Sequence, residues 1–458
     1  MKALLIKSIS RYFPYGLLYL AAELEKHKID VSILDYVIGE YDPQKFKSEL
    51  KKINPQVVGI NCFSYDIKPA FDIAKMTKET LPHAHVVMGG PHPTGLPEHT
   101  LRSECVDSAV VGEGEETLRE LIHALESNHQ LKEIRGLAYK DCGRVIVNSR
   151  REFIGDVNEI PFPAYHLIDL EPYFKLSFSP HGMATKHPRF APVITSRGCP
   201  YGCIYCNNVY GKIFRARSPE NVLAEMEMLY NKYGIREFHI EDDSFNIDLA
   251  RAEKILDLIV EKRLKISLQF SSGLRADRVT ERLAKKMKKA GAFMVAIGVE
   301  TASMDIMRDI KKGLDLAKVP EAARLLTKYG ILVWGYFMLG FLNETYDEMK
   351  KTADFARKLP IHFASFSIVI PYPGTELFNM VKDRIDLNAY FQLTLNSCSP
   401  QIQLSKVPFQ DMWKVKKKAL RRFYTPARFL RIAKTIRSVR EIKFYWKKFK
   451  QVVVRPHF

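Results

Sequence analysis

Twice along this 458-residue chain, short apolar runs alternate with amphipathic patterns, which limits the fold to parallel sheets covered by helices. In the first stretch, residues 2–7, 31–34, 57–61, 85–89 and 109–111 read as strands. Residues 16–26, 43–52, 69–80 and 116–125 read as the helices around them. The later stretch has longer units, with strands expected at 193–196, 237–241, 266–270, 294–299, 333–339 and 364–370. Helices fit 219–232, 248–263, 276–290, 316–329 and 346–358, with Ser218 capping the first and Thr345 with Glu348 boxing the last. Six such units predict an incomplete barrel related to the eight-fold one. The expected class is α/β. A Rossmann-like parallel sheet (1–135) leads, through a linker holding a hairpin near Asp141–Gly143 (136–184), to a partial (β/α)6 barrel (185–405). A basic helical tail (406–458) ends the chain.

Charge is concentrated in that tail. From 406 to 458, 17 Lys and Arg face only Asp411 and Glu441, a net of +15, so the other 405 residues carry only +3 of the total +18. No run of 18 apolar residues exists to span a membrane, and the opening Met-Lys-Ala-Leu-Leu-Ile-Lys-Ser reads as a buried strand instead of a signal peptide. Seven cysteines, an odd number, fit a reducing cytosol in which a cysteine cluster means metal or catalysis.

That cluster is Arg197-Gly-Cys199-Pro-Tyr-Gly-Cys203-Ile-Tyr-Cys206, directly after the first barrel strand. Three thiolates in eight residues rich in Gly and Pro can wrap one iron–sulfur cubane and leave one iron open. A zinc site completed by a distant residue, or a fortuitous grouping, are the alternatives. Cys62, Cys105, Cys142 and Cys398 show no metal spacing, and Cys62 ends a sheet strand as a buried residue.

The C-x3-C-x2-C spacing at the first strand of a barrel resembles the radical S-adenosylmethionine superfamily. Later segments are similar to its branch with a leading cobalamin-binding domain: His239-Ile-Glu-Asp242-Asp243, Ser272-Gly-Leu-Arg275-Ala-Asp277, Gly298-Val-Glu300-Thr, Gly335-Tyr-Phe-Met-Leu-Gly340 and Pro371-Tyr-Pro-Gly374. The resemblance implies a 4Fe–4S cluster on Cys199, Cys203 and Cys206 that chelates S-adenosylmethionine and cleaves it reductively to a 5′-deoxyadenosyl radical. It also implies an electron donor of flavodoxin or ferredoxin type. Tyr205 is placed to cover the adenine, and Arg275 to pair with the cofactor carboxylate or in a surface salt bridge. Glu300, at the end of an apolar strand, needs a partner such as the cofactor's ammonium or ribose. Of Asp242 and Asp243, one faces the cofactor and the other caps the next helix. Asn343 stands where that branch has glycine, and tolerates the same left-handed turn.

The first domain resembles the cobalamin-binding domains of these enzymes. Gly89, Gly90, Gly112 and Gly114 lie in turns beyond the carboxyl ends of its strands, where ligands approach the backbone. The Asp-x-His-x-x-Gly motif for histidine ligation of cobalt is missing; His92 reads as a polar loop residue or a cobalamin contact. In the tail, Phe429, Ile432, Ile436, Val439, Ile442 and Trp446 recur at three and four amid Arg and Lys over 427–454. One amphipathic helix there suits an anionic membrane surface, a nucleic acid, or the outside of the barrel.

These readings converge on a cytoplasmic radical enzyme, peripheral at the membrane's inner face in the membrane-binding version. It methylates or remodels an unactivated carbon of a small apolar lipid, tetrapyrrole or natural product with cobalamin. tRNA or protein modification, and a non-catalytic cobalamin or redox sensor, are the competing expectations.

Overall fold

Aliphatic residues fill five parallel strands at the start of the chain: β1 (Lys2–Lys7), β2 (Asp30–Asp35), β3 (Val57–Asn61), β4 (His85–Gly89) and β5 (Ser108–Val110). Parallel strands this apolar need cover on both faces. Helices Tyr15–Lys26, Pro43–Ile53, Ile67–Thr80 and Glu115–Ser127 belong to this region. The first and last of these bury Leu17, Leu24 and Leu121 with Leu5, Val57 and Val87. The chain then reverses through Cys142 and Gly143, both at positive φ (46° and 78°), the left-handed pair that a two-residue hairpin turn favours. The hairpin strands β6 (Leu137–Asp141) and β7 (Arg144–Val147) extend the sheet antiparallel from β5, giving the order β2-β1-β3-β4-β5-β6-β7. The hairpin expected in a linker is thus part of the first sheet.

The computed structural model describes residues 1–7, 12–36, 42–175, 182–207, 209–392, 402–436 and 439–449. Its chain folds as two units. One comprises Met1–Tyr173, Tyr205–Gly211 and Pro371–Leu395; the other comprises Phe174–Ile204, Lys212–Ile370 and Asn396–Phe458. The two late segments of the first unit are held by specific contacts. Asn207 donates to the Pro373 carbonyl at 3.3 Å, and the Phe391 ring lies 4.9 Å from His92 and 5.0 Å from His99. A side chain on Gly95 would stand 2.7 Å from Pro373 and Gly374 backbone atoms, so only glycine permits the approach.

In the second unit, six parallel strands form a sheet in the order β15-β14-β13-β12-β11-β8. They are β8 (Phe190–Val193), β11 (Glu237–Ile240), β12 (Ser267–Leu274), β13 (Ala292–Glu300), β14 (Leu332–Leu339) and β15 (Phe363–Ile368). Two short strands, β9 (Ser196–Arg197) and β10 (Arg215–Ala216), pair antiparallel beside them. The first barrel strand lies three residues earlier than the expected 193–196 and includes Pro192, because β8 is an edge strand and an edge tolerates the missing donor. β12 runs four residues past its expected end through a register shift after Phe270, with Gly273 at φ 109°. The Ser218 cap, the Thr345–Glu348 capping box and the left-handed Asn343 (φ 63°) form as the sequence suggests.

The tail differs from one straight helix. Helices Pro426–Ala433 and Val439–Phe449 are separate, and both Ile432 and Tyr445 pack on a cluster containing Trp334 and Phe363. Thirteen positions span about 20 Å along a straight helix, so one helix could not bring both to that patch. Tyr445 stacks on Phe363 at 5.4 Å and 8°, Arg428 donates to the carbonyls of Arg357 and Leu359 at 3.1 Å, and Arg431 donates to that of Ile361. Of the three surfaces the stripe could meet, part of it meets the barrel edge, while Ile442 and Trp446 stay exposed. Among the described residues, no helix is long and apolar enough to cross a membrane. Cys398 and residues 450–458 of the expected tail helix lie outside the described residues.

Candidate active site

The cysteine loop is clamped where it leaves the barrel. Asp242, 2% exposed, accepts from the Thr195 amide at 2.5 Å, the Ser196 amide at 3.2 Å, and both hydroxyls. Arg251 donates to the Thr195 carbonyl and, at 2.7 Å, to that of Arg217, while Arg217 reaches the Ile194 carbonyl at 2.9 Å and pairs with Glu225. Asp242 thus positions the loop's entry instead of facing a ligand, and the next helix is capped by Asp248, not by either member of the Asp242–Asp243 pair. Burial raises the Asp242 carboxyl, against the pull of the Arg251 charge and of the hydrogen bonds from Thr195 and Ser196.

Within the loop, Gly198 turns at φ 80°, and the Ile204 amide donates to the Ile310 carbonyl at 3.1 Å. Cys199 and Cys203 are half-buried and share an electrostatic neighbourhood with Arg275 and Asp243. Burial pushes the Cys199 thiol up, an amide hydrogen bond at Tyr201 and the Arg275 charge pull it down, and Asp243 and Cys203 push it further up. Asp243 reaches the surface, yet crowding by protein and then the Asp242 charge push its carboxyl up to about 6. Cys206 is exposed, with its Sγ 3.7 Å from the Asn207 carbonyl. Among the described residues, no three His, Cys, Asp or Glu side chains already stand as a metal cage. Three residues of chain span at most about 10 Å, so Cys203 and Cys206 stay within reach of one cubane. None of the three is in a disulfide, and thiols that take a metal release their protons.

The strand ends beside this loop carry paired charge. Glu300, 8% exposed and at φ 67°, sits at a register shift in β13 and accepts from Lys312 Nζ at 2.9 Å. A side chain on Gly298 would stand 2.8 Å from Glu300 Oε1 and 3.2 Å from Lys312 Nζ, so glycine keeps that cradle clear. Arg275 binds the Asp277 carboxylate with two bonds (3.0 and 2.7 Å), donates to the Lys312 and Gly313 carbonyls at 2.9 Å, and stacks on Tyr201 at 3.6 Å. Its fork is thus engaged by this chain's own carboxylate. Glu241, at the end of β11, accepts from Ser271 at 2.7 Å and Ser272 at 2.9 Å. Sequence reasoning did not single out Lys312, Tyr201 or Glu241 as site residues. Lys312 in particular lies twelve residues from its partner, with no spacing signal to mark it.

The first unit offers a different surface beyond its strands. Gly90 (φ 107°) leaves no room for a side chain, since a Cβ would stand 2.8 Å from the Cys62 carbonyl. Gly89 ends β4, and Gly114 packs against Leu20. Gly112 (φ 92°) opens on space instead, its amide held by Thr94 at 3.1 Å. His92, read as a loop residue, is fully buried: its ring bonds Ser64 and His99 at 3.1 Å each. Burial drives His92 down to about 3 and His99 down to about 4, so both are neutral. After β3, Phe63 stacks on Tyr65 at 5.2 Å and 14°, with Tyr12 at 6.3 and 6.0 Å from the two rings. The Tyr65 hydroxyl is buried with no hydrogen-bond partner. An aromatic platform, an orphaned hydroxyl and an open glycine turn fit a flat macrocycle with polar side groups. Tyr205, on a late segment of this unit, is half-buried.

The family model for the Radical SAM superfamily matches residues 193–356, and that for the B12 binding domain matches residues 1–122. An uncharacterized methyltransferase of Pyrococcus horikoshii is 36% identical over 90% of this chain and 87% of its own length. Cytidylyl-2-hydroxyethylphosphonate methyltransferase of Streptomyces wedmorensis is 28% identical, covering 80% of this chain and 77% of that one. Among solved structures, the radical S-adenosylmethionine methyltransferase TsrM from Kitasatospora setae superposes with a TM-score of 0.71 at 20% identity, over 84% of this chain and 76% of that one. The cobalamin-dependent S-adenosylmethionine radical enzyme OxsB superposes with the same TM-score over 98% of this chain and 72% of that one, also at 20% identity.

Proposed function

Because the chain belongs to the radical S-adenosylmethionine superfamily, in the branch with an N-terminal B12-binding domain, we propose that it methylates an unactivated carbon of an apolar small molecule. The reading is carried by one observation. A clamped three-thiol loop and a complete B12-type sheet occur together in a chain 36% identical, over 90% of its length, to a protein named as a methyltransferase. When bound, the 4Fe–4S cluster supplies the electron that splits S-adenosylmethionine into methionine and a 5′-deoxyadenosyl radical, and cobalamin supplies the methyl carrier.

In this reading Cys199, Cys203 and Cys206 are the iron ligands. Asp242, Arg251 and Arg217 fix the backbone where the loop enters and leaves, and the thiols gather around the metal as it binds. Glu300 and Lys312 present a carboxylate and an ammonium to the zwitterionic end of S-adenosylmethionine, at a glycine cradle that admits its backbone-like groups. Arg275, held by Asp277, brings a fixed positive charge to the thiolates and makes their ionised form easier to reach. Gly112 and the Tyr12, Phe63 and Tyr65 rings seat the macrocycle, while His92 and His99, neutral and buried, support the turn beneath it. The electron comes from a flavodoxin or ferredoxin type donor.

The test uses anaerobically reconstituted full-length protein with S-adenosylmethionine carrying a trideuterated methyl group. Label passing to cobalamin, with 5′-deoxyadenosine formed under reduction, supports methylation. 5′-Deoxyadenosine without label transfer favours a cyclising or oxidising reaction, and neither product favours a sensor.

A further inference from the structure

Partners in a parallel sheet point to the same face. The register sets Gly298, Tyr336 and Ser365 in one row across β13, β14 and β15, with Ala296, Trp334 and Phe363 in the next row toward the amino ends. Gly298 faces the Glu300 carboxylate and the Lys312 ammonium, the groups an added side chain would meet at 2.8 and 3.2 Å. Tyr336 reaches across β13 and donates to the Ser271 carbonyl on β12 at 2.9 Å. Beyond it, Trp334, Phe363 and Ser365 wall a cavity of about 600 Å³. The tail helices Phe409–Phe423, Pro426–Ala433 and Val439–Phe449 complete that wall with Leu420, Phe429 and Tyr445. Two strand spacings of about 4.8 Å separate Gly298 from Ser365, so the cavity begins about 10 Å from the charged cradle, on the same face.

Ordinary packing leaves few voids larger than a water molecule, and hollows of about 300–1,000 Å³ are the size that holds small molecules. Phe363 lies between Trp334 at 4.8 Å and Tyr445 at 5.4 Å, both stacked, so three rings form a continuous wall. The polar groups of the lining are turned onto the chain itself. The Trp334 indole donates to Ser365 at 2.8 Å, and the Tyr424 hydroxyl meets the Ala364 amide and carbonyl at 3.3 Å. Among the described residues, Lys416 alone brings a charge to the lining, and its ammonium rests 4.8 Å over the Trp413 ring. One turn before Tyr445 stands the buried carboxylate of Glu441, 2% exposed; burial and then this carboxylate push the Tyr445 hydroxyl up. Glu441 opposes an anion here and Lys416 opposes a cation. An uncharged occupant meets neither penalty.

We infer that the cavity holds the apolar body of the substrate, an uncharged, elongated molecule that spans the roughly 10 Å from this hollow to the cradle. The inference rests on the reading of Glu300 and Lys312 as the seat of S-adenosylmethionine, and it narrows the small molecule to a neutral one. The tail helices then select the substrate, because their rings form the wall that the β15 edge lacks.

The probe is N-phenyl-1-naphthylamine, a neutral fluorophore, titrated into the full-length protein near neutral pH and displaced by dodecanol, dodecanoate or dodecylammonium. Trp334 and Trp446 line the cavity and Trp413 neighbours it, so tryptophan emission reports occupancy by energy transfer. The expected result is saturation at one probe per chain, with dodecanol displacing about tenfold better than either ion. From hexanol to decanol, each added methylene should tighten binding about fourfold. Ala433→Phe, at an exposed wall position, should weaken binding about tenfold without disturbing the core. Displacement led by either ion, no gain with chain length, or indifference to Ala433→Phe would each overturn the inference. Saturable binding in protein that forms no 5′-deoxyadenosine would retire the radical chemistry and keep the pocket. Titration without saturation in protein that does form it would do the reverse.

Discussion

Both units present the carboxyl ends of a parallel sheet, yet they furnish those ends with different chemistry. Beyond the barrel strands stand Glu300 with Lys312, Arg275 with Asp277, and the carboxylates Asp242, Asp243 and Glu241. Beyond the first sheet stand neutral His92 and His99, the rings of Tyr12, Phe63 and Tyr65, and an open glycine turn. The strand architecture is shared, so the difference lies in the loops. One set is dense in fixed charge and suits a zwitterion and an iron–sulfur cluster. The other is flat and aromatic, with its charge closed into a buried Lys7–Asp35 pair and an Asp66 that holds the Phe63 amide, and suits a macrocycle. The fold provides the place, and the loop residues choose what occupies it.

The largest effect should come from the charged mouth. Cys199→Ala is expected to abolish 5′-deoxyadenosine formation, measured by chromatography after anaerobic reduction, while the first unit still takes up cobalamin. Loss of both activities would mean that the two mouths are not separable. Glu300→Gln should come next. It removes the carboxylate that would meet the cofactor's ammonium, and losing one charge-assisted contact of about 1.5–3 kcal/mol weakens S-adenosylmethionine binding roughly ten- to a hundredfold by calorimetry. Unchanged affinity would remove Glu300 from the binding site.

Titration should separate the units further. His92 and His99 are held down to about 3 and about 4 by burial, from an ordinary 6.5. The unfolded chain therefore takes up protons before the folded one does. Stability of the first unit is full above pH 6.5 and falls as the pH drops toward 4, by a few kcal/mol. The second unit holds all three tryptophans and a histidine, His362, likewise held down to about 4 by burial, so tryptophan fluorescence should change in that range less than far-ultraviolet dichroism does. His99→Gln should reduce the early loss.

The smallest effect runs the other way. Burial raises the Glu344 carboxyl from 4.5 to about 7, against hydrogen bonds from the Gly340 and Phe341 amides. The folded state keeps this proton longer, so stability is full below pH 4.5 and declines as the pH rises to 7. The loss is at most about 3 kcal/mol. Urea midpoints read by tryptophan fluorescence should show that slope, and Glu344→Gln should flatten it. Equal slopes in both variants would assign it to another group.

The sequence showed the two sheets clearly, because unbroken apolar runs between helical patterns have few other solutions. It showed the cysteine loop for the same reason: local spacing survives folding. What it hid was non-local. Lys312 meets Glu300 only because β13 bulges and a loop returns, and Asp242 meets Thr195 only across neighbouring strands. His92 looked like a loop residue because a Pro-rich turn surrounds it, while its burial depends on Ser64, His99 and Phe391 from three other places. The tail's stripe was legible as amphipathic, but periodicity cannot say which surface a stripe meets. Here it meets Phe363 and Trp334, and the chain breaks its helix to do so.

The most direct test of the account is iron, sulfide and cobalt analysis of full-length protein purified without oxygen from cobalamin-supplied cells. The account predicts about four irons and about one cobalt per chain, with the iron lost in Cys199→Ala and the cobalt retained. No iron after anaerobic reconstitution with iron and sulfide would contradict it.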